Sequence, residues 1–266
     1  MKAVRTVFII TMVNFRGRLE YRADFALGIV LGVLWQSSIL VFATVLLTRF
    51  PGLDGWTRGQ ILLIVAMRLL SHGLYVVCFM NVANMPYIIQ EGRIEAYLLR
   101  PMPVFRQVML NRFQVTAFGD LSVACTIFAI AAPQVGMTWT LARVGYVAAA
   151  VVGGMLMEAA IQTAIGSFSL RGATTSVWTH WVDDLMTAFG NYPLSIFPAP
   201  FRAVLTFVVP LAFIAYLPAA AVTGHAAGTG LPPLIAALAP AIGLGAFVAA
   251  RFLWRYNLDR YVGIGG

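Results

Sequence analysis

Long uncharged runs separated by short polar segments set the pattern of the chain. The clearest run, Phe25 to Leu47, holds 23 residues without a charge. As a helix it is about 34 Å long, enough to cross a bilayer. Further apolar runs predict spans at about 60–82, 113–133, 144–168, 203–222 and 234–253. Residues 1–22 read differently. Val4, Phe8, Thr11, Met12, Phe15 and Leu19 recur at spacings of three and four, with Lys2, Arg5, Arg16, Arg18 and Arg22 flanking them. That is the pattern of an amphipathic helix lying in the membrane interface. The stretch 174–191 mixes Trp178, Trp181 and Leu185 with His180, Asp183 and Asp184, which suits a second interfacial helix. Pro193, Pro198 and Pro200 then break it.

Composition sharpens this picture. Of 266 residues, 60% are hydrophobic and 11% charged, and mean hydropathy is +0.84. Soluble domains carry about 25% charged residues. A chain this poor in charge does not cover a water-facing surface, and it is too apolar for disorder. The expected fold class is an all-α integral membrane protein with six transmembrane helices. Six spans use about 120 residues, which leaves no room for a soluble catalytic domain. Cys78 and Cys125 sit in apolar runs without CxxC spacing or clustered histidines, so they read as free thiols. No cleavable leader is expected, because the short run 7–13 is followed by Asn14-Phe15-Arg16-Gly17-Arg18.

The net charge of +8 is the balance of 18 basic and 10 acidic residues. With the N-terminus inside and six spans, 14 of the 18 fall in inner segments, three (Arg49, Arg58, Arg143) in outer loops, and Arg68 within a span. The positive-inside rule then places both termini in the cytoplasm. The basic balance is one of orientation and gives no reason to expect nucleic acid.

The inner segment 84–112 is the most informative loop. It is compact and amphipathic from Met85 to Leu99 and stops at Pro101-Met102-Pro103. A simple tether needs none of this. A short helix offering Ile88, Tyr97, Leu98 and Leu99 beside charges is suited to docking on another protein. Three charges lie within spans: Arg68, Asp120 and Glu158. Each is costly in lipid and must face protein or water. By position, Asp120 lies about 10 Å and Glu158 about 15 Å from the inner surface. Two readings stay open: an internal charge pairing that locks the bundle, or a carboxylate on a translocation path favouring a cationic or amphipathic substrate.

The chain also resembles a known family, the ABC-2-type permeases, which are membrane subunits of ABC exporters. Four features carry the resemblance. They are the interfacial helix before six spans; Glu91-Gly92-Arg93-Ile94-Glu95 with Leu98-Leu99-Arg100-Pro101; Tyr192-Pro193 followed by Phe197-Pro198, Pro210 and Pro218; and Arg260-Tyr261 closely followed by Gly265-Gly266. The resemblance implies one permease domain over 1–266, in a bacterial inner membrane. It implies a pore made by two permeases, identical or homologous, driven by two copies of a cytoplasmic ATP-binding subunit. Residues 84–112 would hold the coupling helix, with Ile88, Glu91, Gly92, Arg93, Glu95, Leu98 and Arg100 at the contact. Residues 218–233 would form an outer re-entrant loop. No long segment separates the first two spans, which excludes exporters of the macrolide type. The chain has no G-x-x-x-x-G-K-[ST], and its only lysine is Lys2. ATP and magnesium are therefore expected on the partner, with no catalytic residue and no cofactor or metal here. The rival classes are a stand-alone secondary transporter or channel and the capture subunit of a vitamin uptake system. A lone carrier has no need of a docking helix.

Overall fold

The computed structural model of the chain describes residues 2–49, 52–172 and 175–263. The Gly265-Gly266 pair of the tail pattern lies outside them. The fold is all-α apart from a two-stranded hairpin, Gly52–Leu53 with Trp56–Thr57. Helix α1 is Lys2–Glu20 and α2 is Arg22–Arg49; α3 is Arg58–Cys78. Short helices follow: α4 Met80–Ala83, α5 Met85–Gln90, α6 Arg93–Leu98 and α7 Val104–Met109. Then come α8 Thr116–Ala131, α9 Leu141–Phe168, α10 Ser176–Phe189, α11 Ala199–Ala203, α12 Tyr216–Thr223, α13 Pro233–Ala237 and α14 Ala239–Leu258.

Among the described residues, four helices are long and apolar enough to cross a membrane: α2, α3, α8 and α9. They match the first four expected spans. Helix α14 has 20 residues but carries Arg251 and Arg255 in its last turns. The expected span at 203–222 is not one helix. It is α11, a wide π-turn over Val204–Val208, a break at Val209 and Pro210, a 3-10 turn over Leu211–Phe213, and then α12. Proline has no N–H to continue the ladder and its ring crowds the preceding turn. Pro210 breaks the path for that reason, whereas Pro218 is tolerated in the first turn of α12.

Helix α3 is the hub, with 72% of its apolar window buried against 11% for α2. Its start is fixed by a capping box in which the Gln60 amide donates to Thr57 Oγ1 and the Thr57 amide to Gln60 Oε1. Contact registers give every direction. Gly59 and Gly73 of α3 meet Gln134 and Leu121, so α3 and α8 are antiparallel. Ser71 Oγ donates to the Val151 carbonyl and Gly166 lies beside Val82, so α3 and α9 run the same way. Gly153 faces Pro240 and Gly243, while Asn257 donates to Ser167 Oγ, so α14 runs with α9. Gly28 and Gly32 of α2 face Val115 and Thr116 of α8, again in the same direction. The bundle thus has one end carrying residues 79–112 and an opposite end carrying the hairpin and residues 132–140.

Close backbone approach replaces hydrophobic driving force where the surroundings are lipid. A Cβ on Gly243 would lie 2.2 Å from the Gly153 carbonyl oxygen, and one on Gly119 would lie 2.4 Å from the Ile29 oxygen. These crossings admit glycine alone.

Helix α1 lies across the 79–112 end. Asn14 donates to the Leu110 carbonyl, and Phe15 packs on Phe25, Phe113 and Phe118. The apolar stripe read from the sequence is divided between two faces: Phe15 points to protein, while Phe8, Met12 and Leu19 are exposed. Arg202, counted above among the inner residues, sits beside Gly230 instead. The chain turns back between α10 and α12, which carries it to the opposite end. Moving it changes the basic split from 14 and three to 13 and four; the asymmetry stands.

Candidate functional site

The segment 85–100 forms two short helices, α5 and α6, joined at Glu91 and Gly92. Gly92 adopts φ 68° and ψ 7°, the left-handed conformation. Residues with a Cβ enter that region at a cost, so glycine sets the kink between the helices. The inner side is anchored. Met85, Ile88 and Ile94 are each 0% exposed, and they pack in one core with Tyr75, Val82, Phe105 and Trp254. The Gln107 side-chain amide donates to the Tyr97 and Met102 carbonyls, at 2.8 and 2.7 Å. Asn81 does the same for the Met109 and Arg112 carbonyls. The Arg251 guanidinium lies 3.5 Å over the Phe105 ring, whose edge meets Trp254. The C-terminal tail reaches the same region: burial pushes the Tyr261 hydroxyl pKa up, and the nearby Glu95 carboxylate adds to the rise.

The outer side is open. Tyr87, Gln90, Glu91, Glu95, Ala96, Leu98, Leu99 and Arg100 are exposed, Leu99 at 88%. Glu91 and Arg93 form an ion pair at 2.6 Å, and Arg93 also donates to Asn111 Oδ1, as does the Tyr97 hydroxyl. The residues expected at a docking contact therefore divide. Glu91, Glu95, Leu98 and Arg100 face outward, and Gly92 and Arg93 sit at the rim. Ile88 is interior, because at its place on α5 it faces the bundle. Tyr87 and Leu99 take the exposed positions.

The intramembrane charges form a second constellation. Glu158 of α9 is 0% exposed and lies between two groups of α3. Arg68 Nη1 is 3.1 Å from its Oε2, and His72 Nδ1 is 2.6 Å from its Oε1. Positions 68 and 72 are one helical turn apart and share a face, which lets both side chains meet one carboxylate. Asp120 of α8 does not join them. It is buried against α2 beside Gly32, and His72 lies within electrostatic range. Among the described residues Glu158 makes two ion pairs and Asp120 makes none. Arg68, expected higher in the bundle, meets Glu158 directly.

Three further residues complete this constellation: His72, Asp183 and Gly190. His72 had a usable signal, its i, i+4 relation to Arg68. Asp183 of α10 accepts from Gln162 of α9. Gly190, just past α10, lies against Arg68: a Cβ there would be 3.1 Å from Arg68 Nε. Helix α10 therefore enters the bundle and does not lie wholly in the interface. Only its apolar Met186 and Val182, both buried, hinted at that.

A family described as "ABC-2 family transporter protein" matches residues 33–265. No curated protein and no solved structure matches the chain.

Proposed function

The chain belongs to the ABC-2 family of transporter membrane proteins, and on that premise we propose that it is the permease subunit of an ATP-driven exporter. It is a multi-pass membrane protein, and its family works with an ATP-binding subunit. In this reading the 79–112 end is cytoplasmic, where the basic residues gather. The ATPase docks on the face made by Tyr87, Glu91, Leu98 and Leu99. Two ATPase copies and a second permease, identical or homologous, complete the assembly in an inner membrane. Helix α10 with residues 190–197, and helix α14, supply the remaining crossings.

The observation that carries the proposal is the pairing of a rigid inner face with an exposed outer one in 85–100. Exposed leucines on an anchored segment are what a docking surface requires. ATP binding elsewhere can move this segment only if it is tied to the bundle, and Gln107, Asn81, Phe105 and Trp254 tie it. The re-entrant element assigned by resemblance to 218–233 fits better over 199–223. Here the chain runs from beside Gly230 to Pro210 and back through α12 to Trp56. The substrate is a small amphipathic molecule. A cation is favoured because three carboxylates, the buried Glu158 and Asp120 and the half-buried Asp183, outnumber Arg68.

The test is ATP hydrolysis by the co-purified complex. Leu98→Asp with Leu99→Asp should abolish most permease-dependent stimulation while the permease stays folded, since neither side chain is in the core. Unchanged stimulation would refute docking on this face.

A further inference from the structure

Where α1 turns into α2, a cavity of about 580 Å³ opens between the end of α1, the first turns of α2 and the entry to α8. Its volume is within the range of small-molecule sites. Two charged side chains of opposite sign line it, Arg18 from α1 and Asp24 from α2. Phe25 and Phe113 give it an apolar wall. The walls are fixed from behind. Both rings pack on Phe15, with centroids 6.1 and 5.1 Å away. Asn14 donates to the Leu110 carbonyl at 2.7 Å, and the Gln114 amide donates to Asn81 Oδ1 at 3.2 Å.

No ion pair among the described residues includes Arg18 or Asp24. They line one cavity without pairing with each other. A ligand that carries a negative and a positive group a short link apart answers both. The cavity lies at the level of the membrane surface, because α2 leaves it as a span with only 11% of its apolar window buried. Leu27, Leu31 and Leu34 are exposed along that span. They follow Asp24 at helical spacings of three and four, so the carboxylate heads an apolar stripe on one face of α2.

We propose that this cavity holds the headgroup of phosphatidylethanolamine, with the phosphate on Arg18 and the ammonium on Asp24. A guanidinium suits phosphate, and a carboxylate accepts from a primary ammonium. The acyl chains lie along the stripe of Leu27, Leu31 and Leu34. A lipid seated in this way ties α1, α2 and the entry to α8 together. An anionic headgroup such as that of phosphatidylglycerol answers Arg18 alone and sets a negative charge near Asp24. Free phosphoethanolamine carries the same two charges and no chains.

Native mass spectrometry of the purified permease, given equal amounts of the two lipids, tests this. The unaltered protein should bind phosphatidylethanolamine roughly threefold to fivefold more tightly than phosphatidylglycerol, the size of one exposed ion pair. Asp24→Asn should erase that preference, while Arg18→Gln should weaken both lipids. Neither side chain is buried, and a far-ultraviolet spectrum with a monodisperse elution profile checks that each variant is folded. An excess of phosphoethanolamine should leave the lipid bound. Equal retention of the two lipids by the unaltered protein would overturn the proposal, since the arginine alone would then hold them. So would a preference that survives Asp24→Asn. Displacement of the lipid by phosphoethanolamine would also overturn it, marking a site for a soluble zwitterion.

Discussion

The strongest residue-scale consequence concerns Glu158. It answers two basic groups in a fully buried place, so removing its charge strands Arg68. An unpaired buried charge typically costs about 3–5 kcal/mol. Glu158→Gln should therefore lower the thermal stability of the detergent-solubilised protein markedly, and combining it with Arg68→Gln should restore most of the loss. Additive losses in the double variant would show that the two side chains do not act as a pair. Asp120 is the internal comparison. It joins no ion pair among the described residues, so Asp120→Asn strands no opposite charge and should cost about 1 kcal/mol or less. A thermal shift as large as that of Glu158→Gln would contradict this. The charges themselves were legible in the sequence, as residues that had to face protein. Their pairing was not, since depth along a helix does not report rotation about its axis.

At the scale of elements, glycine sets two features with separate tests. The α9–α14 crossing depends on Gly153 and Gly243. Gly243→Val places carbons inside the contact distance of the Gly153 carbonyl, so α14 must move away and folded yield should fall steeply. Gly92 meets no atom within 4 Å, so the cost of Gly92→Ala is conformational, about 1–2 kcal/mol for a left-handed residue with a Cβ. That variant should remain folded, and its coupling to ATP hydrolysis should drop as the α5–α6 kink relaxes. Coupling as strong as in the parent would show that the kink has no part in it. The spans 25–47, 60–82, 113–133 and 144–168 were readable from runs of apolar residues, because a membrane-crossing helix needs an unbroken one, and helix 1–22 from its amphipathic spacing. The region 174–222 was misread for the converse reason. Helix α10 turns one face, with Thr179, Val182 and Met186, into the bundle and sets Asp183 beside Gln162 there, while α11 and α12 are kept apolar by lipid and protein without being continuous. Hydropathy reports the surroundings of a segment and says nothing of where its ladder breaks.

At the scale of the whole molecule, the helix directions give α2 and α8 one sense and α3, α9 and α14 the other. With 13 basic residues at one end and four at the other, the account predicts a cytoplasmic 79–112 end. In a background with Cys78 and Cys125 replaced by alanine, an impermeant thiol reagent applied outside should label Asp54→Cys and Gly228→Cys and spare Arg93→Cys and Arg260→Cys. Outside labelling at position 93 would invert the topology. The central claim is that this bundle meets an ATP-binding subunit through the exposed side of 85–100. The most direct measurement places a photo-crosslinking residue at Leu99 in cell membranes, with Ile88 as the interior control, and identifies the adduct by mass spectrometry. The account predicts an adduct at 99 with a polypeptide carrying a phosphate-binding G-x-x-x-x-G-K-[ST] loop, and none at 88. Adducts with lipid alone at 99, in membranes where the transporter is active, would contradict it.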